Sequence, residues 1–313
     1  MIQLVGGFIY LLMGADLLVR GAVALARRAR VPPLVVALTV VALGTSLPEL
    51  VVAVQAALAG HPGIVLGNVV GSNVANVLVV AGAAAALHPL APGGRSVGRD
   101  ALVMILSSLL FIGLGAFGGV DRLDGAFLLL GLAGALTLIV RDALRERKVI
   151  AVPIEWTLGL PHRGGLIALF LVAGALGLPV GARLAVEAAV DIALGLGLTE
   201  TVVGLTIIAF STSLPELATA VVAARRHDTD LVLGTVVGSN TLNLLAIMGV
   251  SALLSPARIP FPREVVVVDL PLMLGAALVI ALFVWRGRTV GRIAGTLLVL
   301  GYVGYAVALF VRG

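Results

Sequence analysis

Ten stretches of roughly 20 mostly apolar residues follow one another along this chain, and roughly that length lets an α-helix cross the hydrocarbon core of a bilayer. They lie near 2–25, 33–59, 64–88, 100–119, 123–140, 165–190, 200–224, 231–254, 265–285 and 290–311. A water-soluble fold could not cover so much apolar surface. Hydrophobic residues make up 60% of the 313 and charged residues 12%, against about 45–50% and about 25% in soluble domains. The sequence therefore predicts an all-α membrane protein with the lipid bilayer as its main partner. The net charge of +5 does not point to nucleic acid, because 20 of the 21 basic residues are Arg and most lie between the apolar stretches. There they act as topology signals facing anionic headgroups. No cysteine is present, which excludes a disulfide framework. The opening Met1-Ile2-Gln3-Leu4 lacks a basic n-region and reads as the start of the first span rather than as a signal peptide.

Positive charge sets the expected orientation. The loops after spans 1, 3, 5, 7 and 9 hold Arg27, Arg28, Arg30, Arg95, Arg99, Arg141, Arg145, Arg147, Lys148, Arg163, Arg225, Arg226, Arg286, Arg288 and Arg292. The other side holds only Arg122, Arg258, Arg263 and Arg312. The first set is expected to be cytoplasmic, with both termini extracytoplasmic and the protein in the plasma membrane.

The chain also repeats itself. Glu49 and Glu216 are 167 residues apart, as are Ser72 and Ser239, and Asn76 and Asn243. The offset runs without a gap back to Gly14 and Gly181, and 19 of the 33 positions in 44–76 are identical to those in 211–243. Apolar helices share Val, Leu and Ala by chance, but not Thr-Ser-Leu-Pro-Glu-Leu and Gly-Ser-Asn at one fixed offset. Each half holds five spans, and an odd number turns the second half upside down. This predicts two inverted five-helix repeats, 1–140 and 165–313, joined by a cytoplasmic linker at 141–164, with spans 2 and 7 broken.

The chemistry lies in the doubled motif. Pro48 and Pro215 lack an N–H and crowd the carbonyl four residues back, which breaks the helix. Carbonyls around Ala42 to Thr45 and Ala209 to Thr212 are then expected to face protein, water or a cation rather than lipid. Thr and Ser add hydroxyls, and Glu49 and Glu216 add charge one residue after each break. In the following spans Ser72 and Asn76 are four apart and share a helix face, as do Ser239 and Asn243. Gly67 and Gly71, and Gly234 and Gly238, allow close helix approach. One intramembrane proline is ordinarily a tolerated kink. Two acids at symmetric positions, each next to a breaker, are hard to explain as structure alone. An all-oxygen, dianionic set with no His, Cys or Met suits a hard cation such as calcium.

These two segments resemble the alpha repeats of the cation/calcium antiporter superfamily, prokaryotic sodium/calcium exchangers in particular. The likeness covers both repeats and the ten-span plan. It implies exchange of sodium against calcium by alternating access, with no cofactor and no obligate protein partner. It also implies ion ligands at Thr45, Ser46, Glu49, Ser72, Asn76, Thr212, Ser213, Glu216 and Ser239, with main-chain oxygens of Ala42 and Ala209. Asn243 joins the wall where potassium-dependent relatives carry Asp. Coupling to protons or to another divalent cation is the alternative reading, and a cation channel ranks below it. An intramembrane enzyme lacks an Asp pair, a Ser–His pair and a His cluster within the spans. Asp16 with Arg20, and Arg183 with Glu187, are expected to neutralise each other as i,i+4 pairs. Asp100 and Asp269 are expected at the interface near helix N-termini.

Overall fold

The computed structural model describes residues 2–28, 46–91, 95–145, 159–225, 227 and 229–312. Residues 33–45 of the second predicted span and most of the predicted linker lie outside them. The described chain is helical. It runs α1 (Ile2–Arg28), α2 (Leu47–Leu58), α3 (Pro62–Leu87), α4 (Arg95–Ala116), α5 (Arg122–Arg145), α6 (Gly164–Leu196), α7 (Glu200–Thr212), α8 (Leu214–Arg225), α9 (Thr229–Leu254), α10 (Val265–Trp285) and α11 (Arg292–Arg312). Seven of these helices are long and apolar enough to cross a membrane, or eight if α7 and α8 form one bent span. The chain is thus a multi-pass membrane protein. α5 occupies the fifth predicted position.

α3 lies at the centre. Its residues Ile64 to Ala75 are all buried, and it packs against α2, α7, α9 and α10. α1 and α6 pack against each other along their length, through glycines spaced seven apart at Gly7, Gly14 and Gly21 and at Gly174 and Gly181. A Cβ at Gly181 would stand 2.6 Å from the Leu11 nitrogen, so only hydrogen fits where the backbones meet. Gly67 and Gly71 serve α3 in the same way against α7, where a Cβ on either would meet backbone at 2.6 Å. Two short antiparallel contacts tie the loops: β1 (Gly119–Val120) with β2 (Ile259–Pro260), and Leu90 with Val290.

Helix boundaries repeat with the sequence. α2 starts at Leu47 and α8 at Leu214, and α3 starts at Pro62 and α9 at Thr229. π-helical turns open at Asn76 and at Asn243. All three pairs are 167 apart. The turn ahead of α3 carries Gly60 at φ +79°, and its counterpart ahead of α9 is His227 at φ 61°. His227 therefore holds a left-handed conformation that glycine adopts more readily.

The i,i+4 pairs form as expected, with Arg20 Nε 2.8 Å from Asp16 and Arg183 Nε 2.7 Å from Glu187. Asp100 lies half-buried on the second turn of α4. Asp269 lies near the start of α10, and its carboxylate is enclosed by protein. α10 starts with a π-helical segment at Val265, which puts Asp269 more than a turn inside the helix and fully buried. α11 supplies its partners: the Tyr305 hydroxyl donates at 3.0 Å and Arg312 Nη2 lies 2.8 Å away.

Candidate ion-binding site

The proline motif bends the chain as its sequence requires. α7 ends at Thr212, α8 begins at Leu214, and their axes differ by 41°. Ser213, at the break, has φ −81° and ψ 5°, and Ser46 ahead of α2 has φ −89° and ψ 8°. Both sit in the sparsely populated bridge region where functional residues collect. Pro48 and Pro215 each fall at the second position of the new helix, where a missing N–H costs nothing. Glu49 and Glu216 follow in the first turn, where the positive helix end favours a carboxylate.

The two motifs meet. Ser213 Oγ lies 3.5 Å from Glu49 Oε1, and Ser46 Oγ lies 3.5 Å from Glu216 Oε1. Each serine thus donates to the acid of the other half. Both carboxylates are 1% exposed and close enough to repel each other. The Thr212 hydroxyl reaches the Ile208 carbonyl at 3.0 Å, the Ala209 carbonyl at 3.3 Å and Asn68 Oδ1 at 3.3 Å.

The second motif forms an adjoining wall. Ser72, Asn76, Ser239 and Asn243 are all buried. The π-helical turn from Asn76 packs against α8, which carries Glu216, and the turn from Asn243 packs against α2, which carries Glu49. Asn76 Nδ2 donates to Asn240 Oδ1 at 3.1 Å, and Asn240 Nδ2 donates to the Asn73 carbonyl at 3.2 Å. An amide ladder therefore crosses between the halves.

Several of these buried atoms have no protein partner. Among the described residues, Glu49 Oε2, Ser72 Oγ, Asn76 Oδ1 and both polar atoms of Asn243 make no hydrogen bond. Buried polar atoms are ordinarily satisfied, so oxygens left over around a carboxylate mark room for a bound cation or water. No group of three His, Cys, Asp or Glu side chains gathers among the described residues. The donors are mostly neutral oxygens, which suits a hard cation that is carried rather than a tightly chelated transition metal.

Of the predicted ligands, Ala42 and Thr45 lie outside the described residues. Ala209 is buried, but its carbonyl already accepts the Ser213 N–H at 3.1 Å. The proline instead deprives the Ser211 carbonyl of its helical donor. The partners that would face Gly234 and Gly238 by repeat symmetry fall in the segment outside the described residues. Asn68, Asn73 and Asn240 were not among the predicted ligands. Asn73 and Asn240 carried a signal, since they repeat at the same offset inside Gly-Ser-Asn. Asn68 did not, because its counterpart is Thr235.

A multi-pass helical chain that closes two buried acids against each other amid neutral oxygens belongs to the class of membrane cation carriers. Residues 1–141 and 166–311 match the family model described as sodium/calcium exchanger protein. Over 309 residues the chain is 34% identical to the putative antiporter CaxA of Alkalimonas amylolytica, covering 97% of this chain and 96% of that one. It is 32% identical over 339 residues to the sodium/calcium exchanger MaX1 of Methanosarcina acetivorans, covering 97% and 96%. Its fold matches a solved structure of the sodium-calcium exchanger NCX_Mj with a TM-score of 0.66 at 30% identity, covering 98% of this chain and 97% of that one. The chain belongs to the sodium/calcium exchanger family, within the cation/calcium antiporter superfamily.

Proposed function

We propose that this antiporter exchanges sodium for calcium across the plasma membrane by alternating access. The single observation behind this reading is the reciprocal seating of Glu49 and Glu216 on Ser213 and Ser46, beside buried oxygens that lack partners. In this reading the chain has ten spans in two inverted repeats, 1–140 and 165–313, joined by a cytoplasmic linker at 141–164, with both termini outside. The matching helix boundaries at an offset of 167 support it. Glu49 and Glu216 bridge one calcium ion, which takes about 6–8 oxygens. Carbonyls of Thr45 and Thr212 close the shell, with those of Ala42 and Ala209 contributing. Sodium ions use overlapping and flanking oxygens among Ser46, Ser72, Asn76, Thr212, Ser213, Ser239 and Asn243.

The two loads compete because either one neutralises two carboxylates. An empty dianionic centre is costly to occlude in a low dielectric, so loaded forms cross and empty ones do not. α1 and α6 slide past the α2–α3 and α7–α9 core, exposing the site to one side at a time.

The test is calcium uptake into sodium-loaded proteoliposomes. Wild-type protein is expected to accumulate calcium as sodium leaves, and Glu49→Gln and Glu216→Gln to lose exchange. Full exchange in either variant refutes the site. Uptake driven by a proton gradient without sodium establishes the proton-coupled alternative, and single-channel currents establish a channel.

A further inference from the structure

Asn68 is fully buried in the middle of α3, and both ends of its amide are engaged. Its Nδ2 donates to the main-chain oxygen of Glu49 at 3.0 Å. That oxygen can only accept, so the amide must turn its NH2 toward it and its Oδ1 the other way. Oδ1 then faces the Thr212 hydroxyl at 3.3 Å. One side chain on α3 thereby ties α2, which carries Glu49, to the end of α7, which carries Thr212. The first belongs to one half of the chain and the second to the other.

The effect on Thr212 follows from its neighbours. The Ile208 and Ala209 carbonyls and Asn68 Oδ1 are all acceptors within 3.0–3.3 Å. The hydroxyl has one proton and two lone pairs. Its one proton is shared among these acceptors and the nearby Glu49 carboxylate, and its lone pairs stay available to a cation. The repeat does not duplicate this residue. The position 167 residues on is Thr235, which is only half-buried. Its short side chain carries one hydroxyl where Asn68 carries an NH2 and a separate oxygen.

We propose that Asn68 is a positioning residue for the half-site of Glu49 and Thr212. The proposal rests on the reading of this site as the ion-binding centre. Asn68 touches no ion in this scheme. It holds the Glu49 helix and the Thr212 hydroxyl at the spacing a cation needs, as supporting hydrogen bonds orient ligands elsewhere.

The test combines equilibrium binding of radioactive calcium to purified protein with sodium-driven uptake. Asn68→Ala and Asn68→Leu should raise half-saturating calcium about tenfold, equivalent to ~1.4 kcal/mol. The maximal rate should stay within about threefold, the split expected when ground-state binding is lost. Thr235→Ala should move half-saturation by less than about twofold. Thr212→Ala should weaken binding in the wild type and add little in an Asn68→Ala background, because the two residues act as a unit. Unchanged half-saturation in both Asn68 variants, or strictly additive effects with Thr212→Ala, overturns the proposal. Loss of folding in both variants that calcium does not restore assigns Asn68 a purely structural part and equally overturns it. Wild-type protein that neither binds calcium nor exchanges it refutes the reading of the site. Wild-type exchange with unshifted Asn68 variants refutes only the proposal for Asn68.

Discussion

Gly181 and Gly177 sit one turn apart on α6, yet alanine should be harmful at one and harmless at the other. A Cβ at Gly181 would lie 2.6 Å from the Leu11 nitrogen and 2.7 Å from the Gly7 oxygen. Ordinary contact begins near 3.4 Å, so the shortfall is 0.8 Å and 0.7 Å. Both obstacles are backbone atoms of α1, and no rotamer change can relieve them. The helices must part by about that distance, and a gap of roughly 0.5–1 Å forfeits about a quarter to a half of each dispersion contact along the seam. Overpacking of this kind costs about 1–3 kcal/mol. At Gly177 the nearest atoms to a Cβ are 3.6 Å and 3.9 Å away. Alanine there gains contact, and its helix propensity favours it by up to about 1 kcal/mol. The assay is thermal unfolding of detergent-solubilised protein followed by size-exclusion fluorescence. Gly181→Ala should melt lower by on the order of 5 °C, and Gly177→Ala should melt at or above the wild-type temperature. Equal melting of the two variants would refute the close seam between α1 and α6.

Other substitutions test separate features. Arg312→Ala leaves the buried Asp269 carboxylate with only the Tyr305 hydroxyl, and breaking a buried pair in this way costs about 3–5 kcal/mol. Tyr305→Phe removes one hydrogen bond and should cost about 1–3 kcal/mol, so the melting temperatures should rank in that order. Ser46→Ala and Ser213→Ala each remove one long contact to the acid of the opposite half. A net loss of about 0.5–1.5 kcal/mol should weaken calcium binding about two- to tenfold, by similar factors in the two variants. Asp121, in the loop before α5, accepts the Asp124 and Leu123 backbone N–H groups at 3.0 Å and 2.8 Å. The Asp124 N–H first, then the Leu123 N–H and the Arg258 charge, hold its carboxyl below the usual range. A depressed folded value means this cap is fully present above the ordinary carboxylate range and lost as pH falls through the lowered value. Protection of the amides at the start of α5, relative to their intrinsic exchange rate at each pH, should fall in acid, and Asp121→Ala should show that loss already at neutral pH.

The multi-pass character was legible because lipid leaves apolar length as a nearly unavoidable signal. The break at Ser213 was legible because Pro215 has no N–H to give. The meeting of Glu49 with Ser213 could be anticipated only through the repeat, since each contact joins residues more than 160 positions apart. The burial of Asp269 was not legible in the sequence. Its sequence neighbourhood marks a helix start, but burial was decided by Tyr305 and Arg312, whose approach depends on how α11 packs. Asn68 was missed because symmetry was the guide and Asn68 departs from symmetry. A lone asparagine in an apolar run has no sequence pattern that identifies its partners.

The cross-bracing of the acids bears on what the repeat is for. Had each glutamate been seated by the serine of its own motif, each half could have formed a complete site. Instead the hydroxyl that faces Glu49 comes from the second half, and the one that faces Glu216 comes from the first. The Asn76–Asn240–Asn73 ladder crosses the same seam. A buried carboxylate without compensation is costly, and two within repulsive range are costlier. In the proposed site, the seam between the halves is thus where a cation would relieve the repulsion of the two acids. In the proposed exchange cycle, ion occupancy and closure of the seam are then one event. A load that fails to neutralise both acids leaves carboxylate repulsion at that seam.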